Sequence, residues 1–155
     1  YDVAIRSPLE FAPNLSRRMR NRVWFKREDL QPVFSFKLRG AYNKLAALDA
    51  ATLERGVICS SAGNHAQGVA LAARQAGLPA TIVMPVGSSI SKQEATRNYG
   101  GQVLLEGKTV SESLLVARKL ANDGRMFIHP FDDPLIMAGQ GTVAGWGGCM
   151  QNACR

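Results

Sequence analysis

Four short apolar runs, Val57 to Cys59, Thr81 to Met84, Val103 to Leu105 and Met126 to Ile128, alternate with helical stretches near His65 to Gln75, Ser91 to Tyr99 and Val110 to Ala121. Such alternation implies a parallel sheet, because parallel neighbours need a long crossover and a helix supplies it. The spacing therefore predicts an α/β fold, a parallel twisted sheet flanked by helices. Thr109-Val110-Ser111-Glu112 has the capping-box spacing. Gly77, Gly100 and Gly124 fall at helix ends, where a left-handed residue is commonly needed. In sheets of this kind ligands collect beyond the carboxyl ends of the strands, and the loop from Ser60 to His65 lies there.

Upstream, Ser7-Pro8-Leu9-Glu10 also has capping-box spacing, with proline at the first helical position, and predicts a helix ending near Asn21. Val23-Trp24-Phe25 then reads as a strand. Leu38, Ala41, Leu45 and Leu48 share one helical face after Ser35, a short polar residue suited to an N-cap, so Lys37 falls in the first turn. There the positive end of the helix dipole disfavours the ammonium form, and Phe36 and Leu38 add an apolar surround. A free amine in that position is a nucleophile toward aldehydes. Ser60-Ser61-Ala62-Gly63-Asn64-His65-Ala66-Gln67-Gly68 leaves one strand and enters an Ala-rich helix, so its unpaired N–H groups converge on a point suited to carboxylate or phosphate. An aldehyde cofactor on Lys37 and an amino-acid carboxylate beside Asn64 would together make a pyridoxal phosphate site.

Each of these residues also has an ordinary explanation. Most lysines are solvent-facing, asparagine often caps helices, and a histidine at a helix start without a carboxylate partner has no assigned proton-transfer role. His129 reads as a strand-end residue, and Met84, Met126 and Met137 read as core fillers. The net charge of +7 is concentrated in Arg6, Arg17, Arg18, Arg20, Arg22, Lys26 and Arg27. Without interleaved aromatics or a binding motif, these residues read as the solvated side of a short helix and a strand edge, and nucleic acid is not expected as a partner. Of three cysteines, Cys59 sits in an apolar run, while Cys149 and Cys154 lack metal-ligand spacing, so neither a disulfide framework nor a metal site is expected. No G-x-G-x-x-G follows a strand, and no stretch is apolar enough for a membrane span. The 155 residues suit one compact soluble domain.

The chain resembles the threonine dehydratase family of fold type II pyridoxal phosphate enzymes. The residues that carry the resemblance run from Tyr1-Asp2-Val3-Ala4-Ile5 and Ser7-Pro8-Leu9 through Lys26 to Val33, Ser35 to Ala41, Ser60 to Gly68, Ile82-Val83-Met84-Pro85, Pro130 to Pro134 and Gly139-Gln140-Gly141-Thr142. It implies that Lys37 holds pyridoxal 5'-phosphate, with Phe36 and Asn64 in the cofactor-binding set and Asn64 hydrogen-bonded to the phenolic oxygen. Ser61, Ala62, Gly63, Asn64 and His65 would surround the substrate carboxylate. The implied reaction is β-elimination of L-threonine to 2-oxobutanoate and ammonia, as in isoleucine biosynthesis, with Lys37 as general base. Serine dehydratase, serine racemase and a non-catalytic fragment that binds other subunits are the alternatives.

The family further implies a homo-oligomer, a dimer or tetramer, placed in the cytoplasm or in a plastid or mitochondrion. By the same resemblance, residues 1–40 belong to the large domain, 41–139 form a nearly complete small domain, and 140–155 begin a return to the large one. Family members are longer, with a glycine-rich phosphate loop and a later serine or cysteine at the pyridine nitrogen that have no counterpart here. After Ala144 the glycine-rich run to Arg155 does not continue a helix well and reads as an altered or truncated end. Strand Val23 to Lys26 is expected to lack partners and expose apolar area, and turnover by this chain alone is expected to be slow or absent.

Overall fold

The computed structural model describes residues 3–144. In chain order these form β1 (Leu9–Phe11), α1 (Pro13–Met19), β2 (Trp24–Lys26), a 3-10 turn (Glu28–Leu30), α2 (Lys37–Ala46), α3 (Ala50–Leu53), β3 (Val57–Ser60), α4 (Asn64–Gln75), β4 (Ala80–Met84), α5 (Ile90–Asn98), β5 (Gln102–Leu105), α6 (Val110–Ala121), β6 (Met126–Phe127) and α7 (Pro134–Gly141). The four expected apolar runs are the strands of one parallel sheet in the order β5-β4-β3-β6. Val57 lies opposite Ala80 and Met126, and Met84 opposite Leu105.

Successive strand residues point to opposite faces, and here each face has its own cover. Val57, Cys59, Ala80, Ile82 and Met84 enter the main core with Val69, Ala72 and Ala73 of α4 and Leu38, Ala41 and Leu45 of α2. Ile58 and Val83 face the other way, against Ala117, Val116 and Leu120 of α6. That two-sided burial explains why β3 and β4 are nearly continuous apolar runs rather than alternating ones. Cys59 is fully buried, and desolvation pushes its thiol far above the ordinary range, so it is an inert core residue.

Most local punctuation behaves as its chemistry dictates. Thr109 Oγ1 accepts from the Glu112 N–H at 3.2 Å, while the Glu112 carboxylate reaches back to the Lys108 N–H at 2.8 Å. Gly77, Gly100 and Gly124 take positive φ of 70°, 96° and 101°. Asp133 caps α7 by accepting from the Leu135 and Ile136 N–H groups, and its Lys44 ion pair at 2.8 Å ties that cap to α2. The crossing of α2 and α7 depends on glycine: a Cβ at Gly139 would lie 2.6 Å from the Arg39 carbonyl oxygen and 2.7 Å from the Gly40 Cα.

Several expectations are corrected. The Ser7 to Asn21 helix does not form as one unit, because Leu9–Phe11 pair antiparallel with Trp24–Lys26 and the helix starts only at Pro13. Ser7, the expected cap, is buried and gives its hydroxyl to the Glu28 carboxylate instead. Leu48 lies beyond the end of α2, although it still packs against the main core. Met137 is 53% exposed on α7 and fills no core, unlike the fully buried Met84. The Val23 to Lys26 strand does not lack a partner as expected, since Trp24–Lys26 pair with Leu9–Phe11, but its expected exposure is found: Phe11, Trp24 and Phe25 of the β1–β2 pair are 45%, 38% and 48% exposed. The expected atypical tail, with Cys149 and Cys154, lies outside the described residues.

Candidate functional site

Lys37 is the first residue of α2. Its backbone N–H donates to Ser35 Oγ at 3.3 Å, but the N-cap position falls on Phe36, which makes no side-chain cap bond, so Ser35, buried one residue earlier, is not the cap expected from the sequence. The half-buried Lys37 side chain donates from Nζ to the Pro130 carbonyl oxygen at 3.1 Å and lies 5.5 Å from the Phe36 ring centroid. Phe36, next in sequence, is 40% exposed and forms an apolar lip beside the amine.

The second expected segment meets the first through Gly68. A Cβ there would sit 3.1 Å from the Leu38 nitrogen and 3.2 Å from the Lys37 carbonyl carbon, so a larger residue would push the start of α2 back by a few tenths of an ångström from α4. Asn64 and Gly68 are one turn apart on one helical face, which places Asn64 on the side of α4 that Lys37 approaches. Asn64 does not cap α4. The N-cap is Gly63, without a side-chain cap bond, and the Asn64 side chain is exposed with no hydrogen bond in the described residues. The ordinary explanation for this asparagine therefore fails, and its amide remains available to a ligand.

The loop before α4 is pinned locally. The Gly63 N–H donates to Ser61 Oγ at 3.2 Å, and the Ser61 N–H donates to the Val83 carbonyl oxygen at 3.2 Å. Ala62 is half-buried and packs against the main core. A Cβ on Gly63 would meet nothing within 4 Å, so open space borders the backbone there. The N–H groups of Asn64, His65 and Ala66 precede the first helical bond, from Gln67 to Gly63, and carry the positive end of the α4 dipole.

His65 is buried, with Nε2 3.3 Å from the Ile128 carbonyl oxygen. A carbonyl only accepts, so in the neutral ring the proton sits on Nε2 and Nδ1 presents a lone pair. Burial pushes the imidazole down to about 4; the Ile128 carbonyl opposes that shift, and the charges of Lys37 and His129 add to it. His65 is therefore neutral at physiological pH. Its Nδ1 has no partner, and neither does the buried hydroxyl of Ser60 at the end of β3. Buried polar atoms are normally satisfied, so two orphans at the mouth of α4 mark a place built for polar company. His129 follows the β6 strand as expected, and its Nδ1 accepts from the Phe131 and Asp132 N–H groups at 3.3 and 2.7 Å.

Sequence reasoning missed three participants. The Ile128 and Pro130 carbonyls are backbone atoms, about which residue type says nothing. Ser60 stood in the motif without an assigned role, and its burial could be learned only from the fold. Among the described residues no cluster could hold a metal ion, and no helix is long and apolar enough to cross a membrane.

These residues fit a pyridoxal phosphate group. Lys37 offers an amine, Phe36 an apolar lip, Asn64 an uncommitted amide, and the α4 N-terminus with Gly63 an open cradle for an anion. Comparison with known proteins agrees. The family model described as pyridoxal-phosphate dependent enzyme matches residues 2–145. The chain is 56% identical over 144 residues to a chloroplastic biosynthetic threonine dehydratase 1 of Solanum lycopersicum, covering 92% of this chain and 24% of that enzyme. It is 54% identical to the biosynthetic L-threonine dehydratase IlvA of Burkholderia multivorans, covering 93% and 29%. A mitochondrial threonine dehydratase of Saccharomyces cerevisiae is 52% identical. Among solved structures, the processed form of threonine deaminase isoform 2 from Solanum lycopersicum superposes with a TM-score of 0.92 at 50% identity, covering 97% of this chain and 42% of that one. Maize serine racemase gives 0.90 at 32% identity, covering 97% and 46%. The chain thus spans about a quarter of the length of the curated relatives it matches. With its fold and a match over nearly every described residue, the chain belongs to the family of pyridoxal-phosphate dependent enzymes.

Proposed function

We propose that this chain is the part of a threonine dehydratase that carries the cofactor lysine and the substrate-carboxylate loop, and that the whole enzyme converts L-threonine to 2-oxobutanoate and ammonia in isoleucine biosynthesis. The observation that supports this reading is the close approach of the Lys37 and Leu38 backbone to Gly68, which sets the start of α2 against α4. The names of the relatives at 52–56% identity support the choice of substrate.

When bound, pyridoxal phosphate supplies the electron sink that lets an amino acid lose its α-proton and its β-hydroxyl. The protein residues do the rest. The N–H groups that open α4, with Ser61, Ala62 and Gly63 leading into them, bind the substrate carboxylate. Asn64 would hold the cofactor ring through its free amide. Phe36 limits water on one side of the Lys37 amine, which would hold the cofactor and serve as the general base for the substrate α-proton. His65 stays neutral and offers Nδ1 as an acceptor at the floor of the loop.

In this reading residues 1–40 contribute to the large domain, 41–139 form the small domain, and 140–155 lead back to the large one. The enzyme is a homo-oligomer in an aqueous compartment, cytoplasmic or organellar. The test is incubation of the purified chain, and of a version extended as in the relatives, with pyridoxal phosphate and L-threonine. The extended protein is expected to yield 2-oxobutanoate, and Lys37→Ala to abolish it; product that survives Lys37→Ala overturns the assignment. Pyruvate or D-serine formed from L-serine in preference to turnover of threonine would move the reading to the serine enzymes of the family, one of which shares this fold at 32% identity.

A further inference from the structure

Behind α2, on the side away from Lys37, lies a buried polar network that the site chemistry does not use. Arg39 donates to Glu28 from Nε at 2.8 Å and from a terminal nitrogen at 2.9 Å, the two-pronged geometry that a guanidinium and a carboxylate share. The Arg39 side chain is 2% exposed and the Glu28 side chain 11%. Glu28 also accepts from the Ser7 hydroxyl and from the Gln31 amide at 3.2 Å. Gln31 in turn pairs with both the N–H and the carbonyl of Ile5 at 2.9 Å. Arg39 reaches the Ile5 carbonyl oxygen at 3.2 Å and Thr142 Oγ1 at 3.4 Å.

Three segments far apart in sequence therefore converge on one guanidinium. Burial would raise the Glu28 carboxyl, but the hydrogen bonds from Arg39 and Ser7, with the charge of Arg39, outweigh it and hold the group below the usual range. A buried ion pair of this kind contributes little stability beyond what apolar side chains would give; what it does supply is a fixed geometry. Residues 37 and 39 point about 200° apart around a helix of 3.6 residues per turn, so a grip on Arg39 acts on the face opposite the Lys37 side chain.

We infer that the Glu28–Arg39 pair is a positioning device for Lys37, clamping α2 from behind so that the amine reaches the mouth of α4. The inference rests on the reading that Lys37 takes the cofactor. Thr142, which follows α7, and Pro130, which precedes it and holds Nζ, lie on one stretch of chain, so the front and back of α2 are referenced to the same element. A small tilt of α2 moves the amine while leaving the core of Leu38, Ala41 and Leu45 largely in place, which separates position from stability.

The test is reductive trapping: the 155-residue chain is treated with pyridoxal phosphate and borohydride, and the adduct is mapped by peptide mass. Lys26, Lys44, Lys92, Lys108 and Lys119 serve as internal controls. The unaltered chain is expected to carry the adduct mainly on Lys37. Arg39→Lys keeps the charge and loses the fork, and the double variant Glu28→Met with Arg39→Leu replaces the pair with apolar side chains. Both are expected to melt near the parent temperature and to lose Lys37 selectivity by about tenfold, the order of effect that small misplacements of a reacting group produce. Ser7→Ala, which leaves both charges in place, is expected to give a smaller loss in the same direction. Unchanged selectivity in any folded pair variant, or in Ser7→Ala should those variants not fold, overturns the positioning role. An unaltered chain that labels its six lysines indiscriminately instead overturns the cofactor reading, and this inference with it.

Discussion

The two sheets of this chain are held by different physics. In the four-stranded sheet, β3 and β4 are covered on both faces, and beyond the ladder hydrogen bonds they are held mainly by apolar area, through Val57, Ile58, Ile82 and Val83. The β1–β2 pair leaves Phe11, Trp24 and Phe25 substantially exposed, with Met19 nearby, and is anchored to the body through the Ser7, Glu28 and Arg39 network. A two-stranded ribbon has too little area to stabilise itself, so its attachment falls to directional polar bonds. Apolar burial tolerates small displacements, whereas a buried ion pair does not, and so the less covered region is the more sensitive to single charges.

The largest expected effect follows directly. Glu28→Ala leaves Arg39 buried without its counter-ion and is expected to cost about 4 kcal/mol by urea denaturation, more than a conservative change such as Ile82→Val at about 1 kcal/mol. If the two prove equal, the contrast between the sheets disappears.

Acid provides the next test. His65 is held at about 4 against an ordinary 6.5, so between those values the unfolded chain takes a proton that the folded one refuses. Stability is therefore expected to fall by about 3 kcal/mol as pH drops from 6.5 to 4. Glu28 is depressed below its ordinary 4.5, so its contribution is complete above that value and is lost as pH falls through its lower folded-state value. Thermal melts across pH should thus show two successive losses, and His65→Gln should remove the first; an unaltered first loss would rule out His65 as its source.

A smaller change tests the well-covered region at its edge. Thr109→Ala removes the cap of α6 and is expected to cost about 1 kcal/mol, felt through Ile58 and Val83 on that face. The smallest effect on folding is expected at the exposed ribbon: Trp24→Thr should change stability by about 0.5 kcal/mol or less while reducing self-association in light scattering, because the lost area is solvent-facing already. A large destabilisation would mean that the ribbon is held by its aromatics after all.

Legibility from sequence followed the range of the interaction. The strands of the four-stranded sheet, the α6 cap and the glycines at helix ends depend on neighbours within a few residues and were readable, whereas β1, which forms only by pairing with β2, was read as helix. Ser7 was misread because its hydroxyl had two claimants, a four-residue capping-box pattern at the head of an expected helix and a carboxylate 21 residues away, and only the second is satisfied in the fold. Met137 was misread because α7 turns one face outward, which a single methionine does not announce.

At the site the same division holds. Residue type and spacing alone determined that a lysine opens one helix, that a polar, glycine-bearing loop opens another, and that the strands alternating with helices run parallel, because each depends on local backbone preference and on the order of apolar runs and helical stretches along the chain. Folding alone decided that Gly68 admits α2, that Ser60 and His65 are left with unpartnered atoms, that the Pro130 carbonyl receives the amine, and that Arg39 finds Glu28. Those facts depend on which surfaces meet when water is expelled, and close packing couples residues that the chain itself holds far apart.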